Sequence, residues 1–239
     1  VQAAGNIVID GHCEASQIEA GGDVIIRKGC QGKGLGKIIA GKSIVGQFFE
    51  SAVLTAGKDV QATYLLNCQL KANGKLLVEG RKGVIIGGKT CAKLGVSCNG
   101  IGNIAEIATV VSVGIDKEDM TAYQELQKKI EQTQAELQTC ENGLNKLMAN
   151  PVHDEKVSMM IQRLTRAVYT LKSSRKELFS ERDAQMEQMT KQKEARIQVS
   201  GRVYPGTLLF LNEDPFAIKE IYNNVEFVKH DNRIDTLAH

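Results

Sequence analysis

Several features that commonly announce a function are missing from this sequence. No apolar run approaches the roughly 20 residues that a membrane-spanning helix needs, and no secretion signal is visible, so no integral membrane segment is expected and the expected location is the cytoplasm. The 6 cysteines, at positions 13, 30, 68, 91, 98 and 140, include no Cys-x-x-Cys pair, which removes the spacing of a zinc site. They read instead as small buried apolar residues in a reducing compartment. Net charge is only +2, aromatics make up 5% of the 239 residues, and tryptophan is absent. The basic residues of the first half are not interleaved with aromatics, so nucleic acid is not an expected partner. No Gly-x-Ser-x-Gly nucleophile turn occurs. Gly32-Lys33-Gly34-Leu35-Gly36-Lys37 superficially resembles a phosphate loop but lacks the four-residue gap and the Ser/Thr after Lys, so an expanded corner is the better reading. His12, His153, His230 and His239 have no carboxylate or cysteine at a ligand spacing. No catalytic, cofactor-binding or metal-binding residue is therefore expected.

Prolines are also few, 3 against 23 glycines, so the tight turns of this chain are made by glycine. Those glycines are ordered. A small residue plus Gly recurs and opens a short apolar strand each time: Ala20-Gly21-Gly22-Asp23-Val24, Ala40-Gly41-Lys42-Ser43-Ile44, Ala56-Gly57-Lys58-Asp59-Val60, Asn73-Gly74-Lys75-Leu76 and Gly87-Gly88-Lys89, with an earlier copy at Gly5-Asn6-Ile7. Copies about 14–19 residues apart, each holding two or three short strands, predict a parallel β-helix in which inward side chains stack into one core. The left-handed hexapeptide helix needs a stricter period and is the rival that this variability contradicts. Cys13 and Cys30 each follow their glycine by eight residues, which predicts neighbours one coil apart. Ile104 to Gly114 reads as the last coil before an interruption. The Val1 start, already in register by Gly5, suggests a piece of a longer protein.

The interruption has its own period. Tyr123, Leu126, Ile130, Thr133, Leu137, Cys140, Leu144 and Leu147 are spaced 3,4,3,4,3,4,3, a heptad seam. Asp116 or Asp119 can cap its start, and Pro151 ends it near Ala149-Asn150. The seam resumes at Val157, Ile161, Leu164, Val168, Leu171, Arg175 and Leu178, with Met186 and Met189 as remnants. Two helices joined by a short polar loop predict a long antiparallel coiled-coil hairpin. Strand character returns in Arg196 to Gly201, Val203 to Leu211, Phe216 to Ile218 and Val225 to Val228. The predicted organisation is thus a mostly β fold: a parallel β-helix at 1–115, a helical insertion at 116–196, and strands at 197–239 that complete and cap the β-helix.

The densest basic cluster is Arg81-Lys82-Gly83 with Gly87-Gly88-Lys89, and neighbouring coils would bring Lys58 and Lys75 near it. Arg81, Lys82, Lys89, Lys58 and Lys75 are the candidate interaction surface, suited to an acidic protein partner or an anionic lipid surface.

The Ala-Gly ladder, then Arg81 to Gly88 with Ala92, then Thr109 to Gly114, then the long helices, then Gly201-Arg202-Val203-Tyr204-Pro205-Gly206, together resemble the bacterial flagellar assembly protein A family over nearly the whole chain. The ladder is similar in kind to bactofilins and to the β-helical half of the division inhibitor MinC. The resemblance implies a right-handed β-helix interrupted by a helical hairpin, with an N-terminal domain in full-length members. It implies no catalytic residues. The function it implies is that of a non-enzymatic cytoplasmic scaffold or regulator that binds protein partners in flagellar assembly or polar localisation. A carbohydrate-active or other surface-binding β-helix enzyme and a self-assembling, bactofilin-like homo-oligomer are the alternatives.

Overall fold

Alanines stack at a single position from Ala3 to Ala92. In the computed structural model, which describes residues 1–149, 154–231 and 233–238, Ala3, Ala20, Ala40, Ala56, Ala72 and Ala92 are successive Cα partners in parallel pairs, followed by Val113 and Leu211. The steps along this column up to Val113 are 17, 20, 16, 16, 20 and 21 residues. Each step is one coil, so the chain winds a β-solenoid of about six turns. The expected step of 14–19 was too short at both ends. The longest coils absorb extra residues at corners; between Gln31 and Gly36, for instance, the ladder shifts register against the next coil.

Each coil carries three strand segments. One ends on the alanine column, as in Gln17–Ala20, Tyr64–Ala72 and Thr109–Val113. A second follows the glycine corner, where Ile7, Val24, Ile44, Val60, Leu76, Val96 and Ile197 form a stacked buried column. The third stacks Cys13, Cys30, Phe49, Leu65, Ile85, Ile101 and Val203. Alternate residues point inward, as a pleated strand requires, and the inward set forms one continuous apolar core. Cys13 and Cys30 are partners one coil apart, as their spacing predicts, and both are free thiols.

The glycine after the alanine is dictated by space. The amides of Gly21, Gly41 and Gly57 donate to the carbonyls of Ala3, Ala20 and Ala40 one coil below at 2.8–2.9 Å. That packing sets each glycine directly against a carbonyl: a Cβ on Gly41 would collide with the Gly21 oxygen, and one on Gly57 with the Gly41 oxygen. Two positions later a polar side chain ties coils together. Asn6 Oδ1 accepts the Asp23 N–H (2.8 Å), Asp23 Oδ1 the Ser43 N–H (2.9 Å) and Asp59 Oδ1 the Lys75 N–H (2.7 Å). These short side chains satisfy corner amides that no strand partner reaches.

The solenoid is closed at its later end by antiparallel pairing. Thr207–Leu211 pairs with Asp214–Ala217, and Ile197–Val203 pairs with Tyr222–His230, which in turn pairs with Arg233–Ala238. Phe216, Tyr222 and Phe227 meet with ring centroids 5.6–6.3 Å apart and edge-on or tilted planes, a favourable aromatic geometry. Ile104 to Ala108 departs from expectation: these residues form an exposed turn rather than strand, and pairing begins only at Thr109. Their β-prone side chains have no neighbouring coil in register.

The two long helices are α1, Lys117–Met148, and α2, Glu155–Lys193. The chain divides into two compact units, Val1–Asp116 with Thr190–His239, and Lys117–Met189. Asp116 precedes the first helical residue, and Asp154 caps α2 by accepting the Val157 N–H at 2.8 Å. The expected helix end at Asn150-Pro151 lies outside the described residues. Leu126, Ile130 and Leu137 are buried, the other seam positions are half-buried, and Lys172 Nζ lies 2.8 Å from Glu141 Oε1. Met186, expected on the seam, is 48% exposed; Arg182, Gln185 and Met189 take the half-buried positions there.

The stacked corner makes a direct prediction. Gly41→Val should destabilise the fold by about 1–3 kcal/mol and lower Tm by roughly 3–10 °C, whereas Gly5→Ala, where a Cβ meets open space, should leave Tm nearly unchanged in calorimetry.

Candidate interaction surfaces

Several acids of the solenoid, which a carbohydrate-active groove would need to gather, are engaged in local pairs. Asp10 meets Arg27 at 2.7 Å and Glu14 meets Lys33 at 3.0 Å. Glu19 accepts from Gln2 Nε2, and Asp23 and Asp59 hold corner amides. Among the described residues no group of three or more His, Cys, Asp or Glu is arranged to hold a metal ion. Of the histidines, His12 lies on a strand and His230 at the end of another; His153 and His239 lie outside the described residues. The glycine-rich Gly32–Lys37 stretch is an expanded corner within the strand Val24–Ala40, with Lys33 and Gly34 both at positive φ (50° and 77°).

Register decides where the five candidate cations sit. Lys58 and Lys75 occupy the glycine corner in consecutive coils, and the Gly74 N–H donates to the Lys58 carbonyl at 2.9 Å. Arg81 and Lys82 lie at the following corner, between Leu76–Val78 and Val84–Ala92. There Lys82 Nζ stands 4.9 Å from the centroid of the Tyr64 ring, a cation–π contact. Lys89 is on a strand, beside Gln69 and Val110 of the coils on either side. All five are exposed. The fold thus distributes them over two corners and one face, with Lys58 and Lys75 at the glycine corner and Arg81 and Lys82 at the corner that follows.

The glycine corner of the last coil is where the helical segment is inserted. One coil earlier, Lys93, Leu94 and Gly95 bridge Ala92 to Val96. In the last coil Val113 is the partner of Ala92 and Ile197 that of Val96. Gly114 and Ile115 therefore stand in the places of Lys93 and Leu94, and Arg196 stands in that of Gly95. The Leu76 N–H donates to the Gly95 carbonyl, and one coil on the Val96 N–H donates to the Arg196 carbonyl, both at 3.0 Å. Both helices occupy the chain between positions that are adjacent in the preceding corner.

Asn212 fastens this neck. At φ 49°, its Oδ1 accepts the Ile115 N–H at 2.9 Å, its Nδ2 donates to the Lys193 carbonyl at 3.2 Å, and its own N–H donates to the Val113 carbonyl at 3.0 Å. One side chain thus holds both ends of the inserted segment. Sequence reasoning did not single it out; an Asn directly after an apolar strand, at the place of the ladder glycine, was the available signal, since Asn tolerates left-handed φ.

The fold on its own defines a β-solenoid with a helical insertion, a class of repeat proteins built around surfaces. The model of the Flagellar Assembly Protein A β-solenoid domain matches residues 1–234, and the chain belongs to that family. No curated protein and no solved structure matches it. No helix among the described residues is long and apolar enough to cross a membrane.

Two measurements follow. Joining Ile115 directly to Arg196 should leave a solenoid with an intact β signal in circular dichroism and a cooperative melt; loss of that signal would show the helices to be needed for the fold. The thiols should differ widely. Burial pushes Cys30 up to about 11 and Cys98 up to about 12, from an ordinary 9.0. Both should resist a disulfide reagent at neutral pH until the chain unfolds, while the half-buried Cys91 and Cys140 react first. Because these folded values lie above the unfolded one, the stabilisation is complete below about pH 9 and is lost as pH rises toward 11 and 12.

Proposed function

We propose that this chain is a non-enzymatic scaffold of flagellar assembly, acting in the cytoplasm by holding protein partners. The solenoid of residues 1–115 and 197–239 is its platform, and residues 116–196 are an antiparallel coiled-coil arm. The observation that carries the reading is the insertion itself: two helices of 32 and 39 residues are inserted in the chain at a corner that the preceding coil closes with three residues. A segment of that length adds surface without adding to the solenoid core. Pairing of the helices is supported by the low exposure of both heptad seams, by the Lys172–Glu141 ion pair and by the approach of Leu164 to Gly143. A right-handed winding follows the hand that connections between parallel strands favour. Six free thiols without a disulfide agree with a reducing compartment. Lys58 with Lys75, Arg81 with Lys82, and Lys89 are the solenoid cations offered to partners.

The test is a capture experiment in a flagellated bacterium. The intact chain should retain partner proteins that the form lacking residues 116–195 does not, and charge reversal of the five solenoid cations should release others. Identical partners with and without the helices would remove the arm from this reading, and no partner in any form would remove the scaffold.

A further inference from the structure

The outer face of α2 near its start is unlike the rest of the helical unit. From Lys156 to Lys176 the sequence holds six Lys or Arg and no Asp or Glu, although residues 116–196 as a whole carry 14 of each sign. Lys156, Met159, Arg163, Arg166 and Thr170 are spaced 3,4,3,4, which sets them on one stripe of the helix. All five are exposed, while Val157, Ile161, Leu164, Val168 and Leu171 on the other side are half-buried.

Two details separate this stripe from an ordinary solvated face. Met159 and Met160 are 57% and 50% exposed, and they line a shallow depression of about 290 Å³ together with Lys156, Gln162, Arg163 and Arg166. Among the described residues, no carboxylate pairs with Lys156, Arg163 or Arg166, whereas Lys172 on the same helix is paired with Glu141. Three uncompensated cations surround two flexible, polarisable apolar side chains. Methionines adapt to the shape of whatever packs on them, and the cations require negative charge around that apolar contact.

We propose that this stripe is a docking site for an acidic amphipathic segment of a partner protein, one that sets an apolar side chain on Met159 and Met160 and carboxylates against Lys156, Arg163 and Arg166. The proposal rests on the scaffold reading above and gives its arm a partner chemistry. A protein segment fits better than an anionic membrane. The branched aliphatic side chains Val157, Ile161, Leu164 and Val168 are half-buried on the opposite side, and membrane-surface helices need such residues on the face that enters the lipid.

The probe is a phage-displayed library of random peptides, panned on the intact chain, on Arg163→Glu/Arg166→Glu and on Met159→Ser/Met160→Ser. These positions are exposed, so both variants should keep the circular dichroism spectrum and Tm of the parent. Enriched peptides should combine Asp or Glu with apolar residues. Their Kd should rise about tenfold or more in each variant, and the charge-dependent part should weaken as salt is raised from about 50 to 300 mM. Peptides without excess acid, equal binding to the charge-reversed variant, or no enrichment would each overturn the proposal. So would binding of the intact chain to phosphatidylglycerol vesicles with no acidic peptide recovered. Photo-crosslinkers placed at Thr170 and at Lys89 in cells separate the two levels: adducts at Lys89 alone would sink this site and leave the scaffold standing, and adducts at neither would count against both.

Discussion

Parallel stacking of one coil on the next is the constraint on which this structure depends. A single coil of 16–21 residues encloses too little to bury its own apolar side chains, and its backbone groups find partners only in the coils above and below. Repetition of the same side-chain type at the same position is the consequence. Alanine fits the column at the end of one strand, a branched or long aliphatic residue fills the column after the corner, and glycine sits between because a carbonyl of the neighbouring coil occupies the place of its Cβ.

The same constraint governs where the fold accepts change. A strand in the middle of the ladder has partners on both sides, so an insertion there would break two sets of hydrogen bonds. A corner has fewer such bonds to lose, and the last glycine corner takes in both helices, with Asn212 securing the two ends. The later end of the solenoid is finished by strands that reverse direction, and Phe216, Tyr222 and Phe227 cluster there. Since the interior is given over to stacking, the exposed polar and charged side chains lie at corners, on outer faces and on the inserted helices. That division of labour agrees with the chain's membership of the Flagellar Assembly Protein A β-solenoid family.

Much of this was legible in the residues. The Ala-Gly corners, the paired position of Cys13 and Cys30, the two long helices and the return of strands after them all arise from local patterns that repeat at short range. Other features were not. Coil length was underestimated because extra corner residues such as Lys33 to Leu35 carry no period. Ile104 to Ala108 has the composition of a strand but no coil in register beside it. Met186 follows the apolar pattern yet is exposed, because the seam runs instead through Arg182, Gln185 and Met189.

The sequence by itself determined the repeating unit, the presence of two helices between strands, and the family, since each rests on residue types at fixed short spacings. Only the tertiary structure decided which surfaces exist. Register set Lys58 and Lys75 at one corner and Arg81 and Lys82 at the next, because neighbours in a solenoid are residues one coil apart and corner lengths vary. It also brought Asn212 to Ile115 across 97 residues of chain, a contact that no local pattern encodes because the whole inserted segment lies between them.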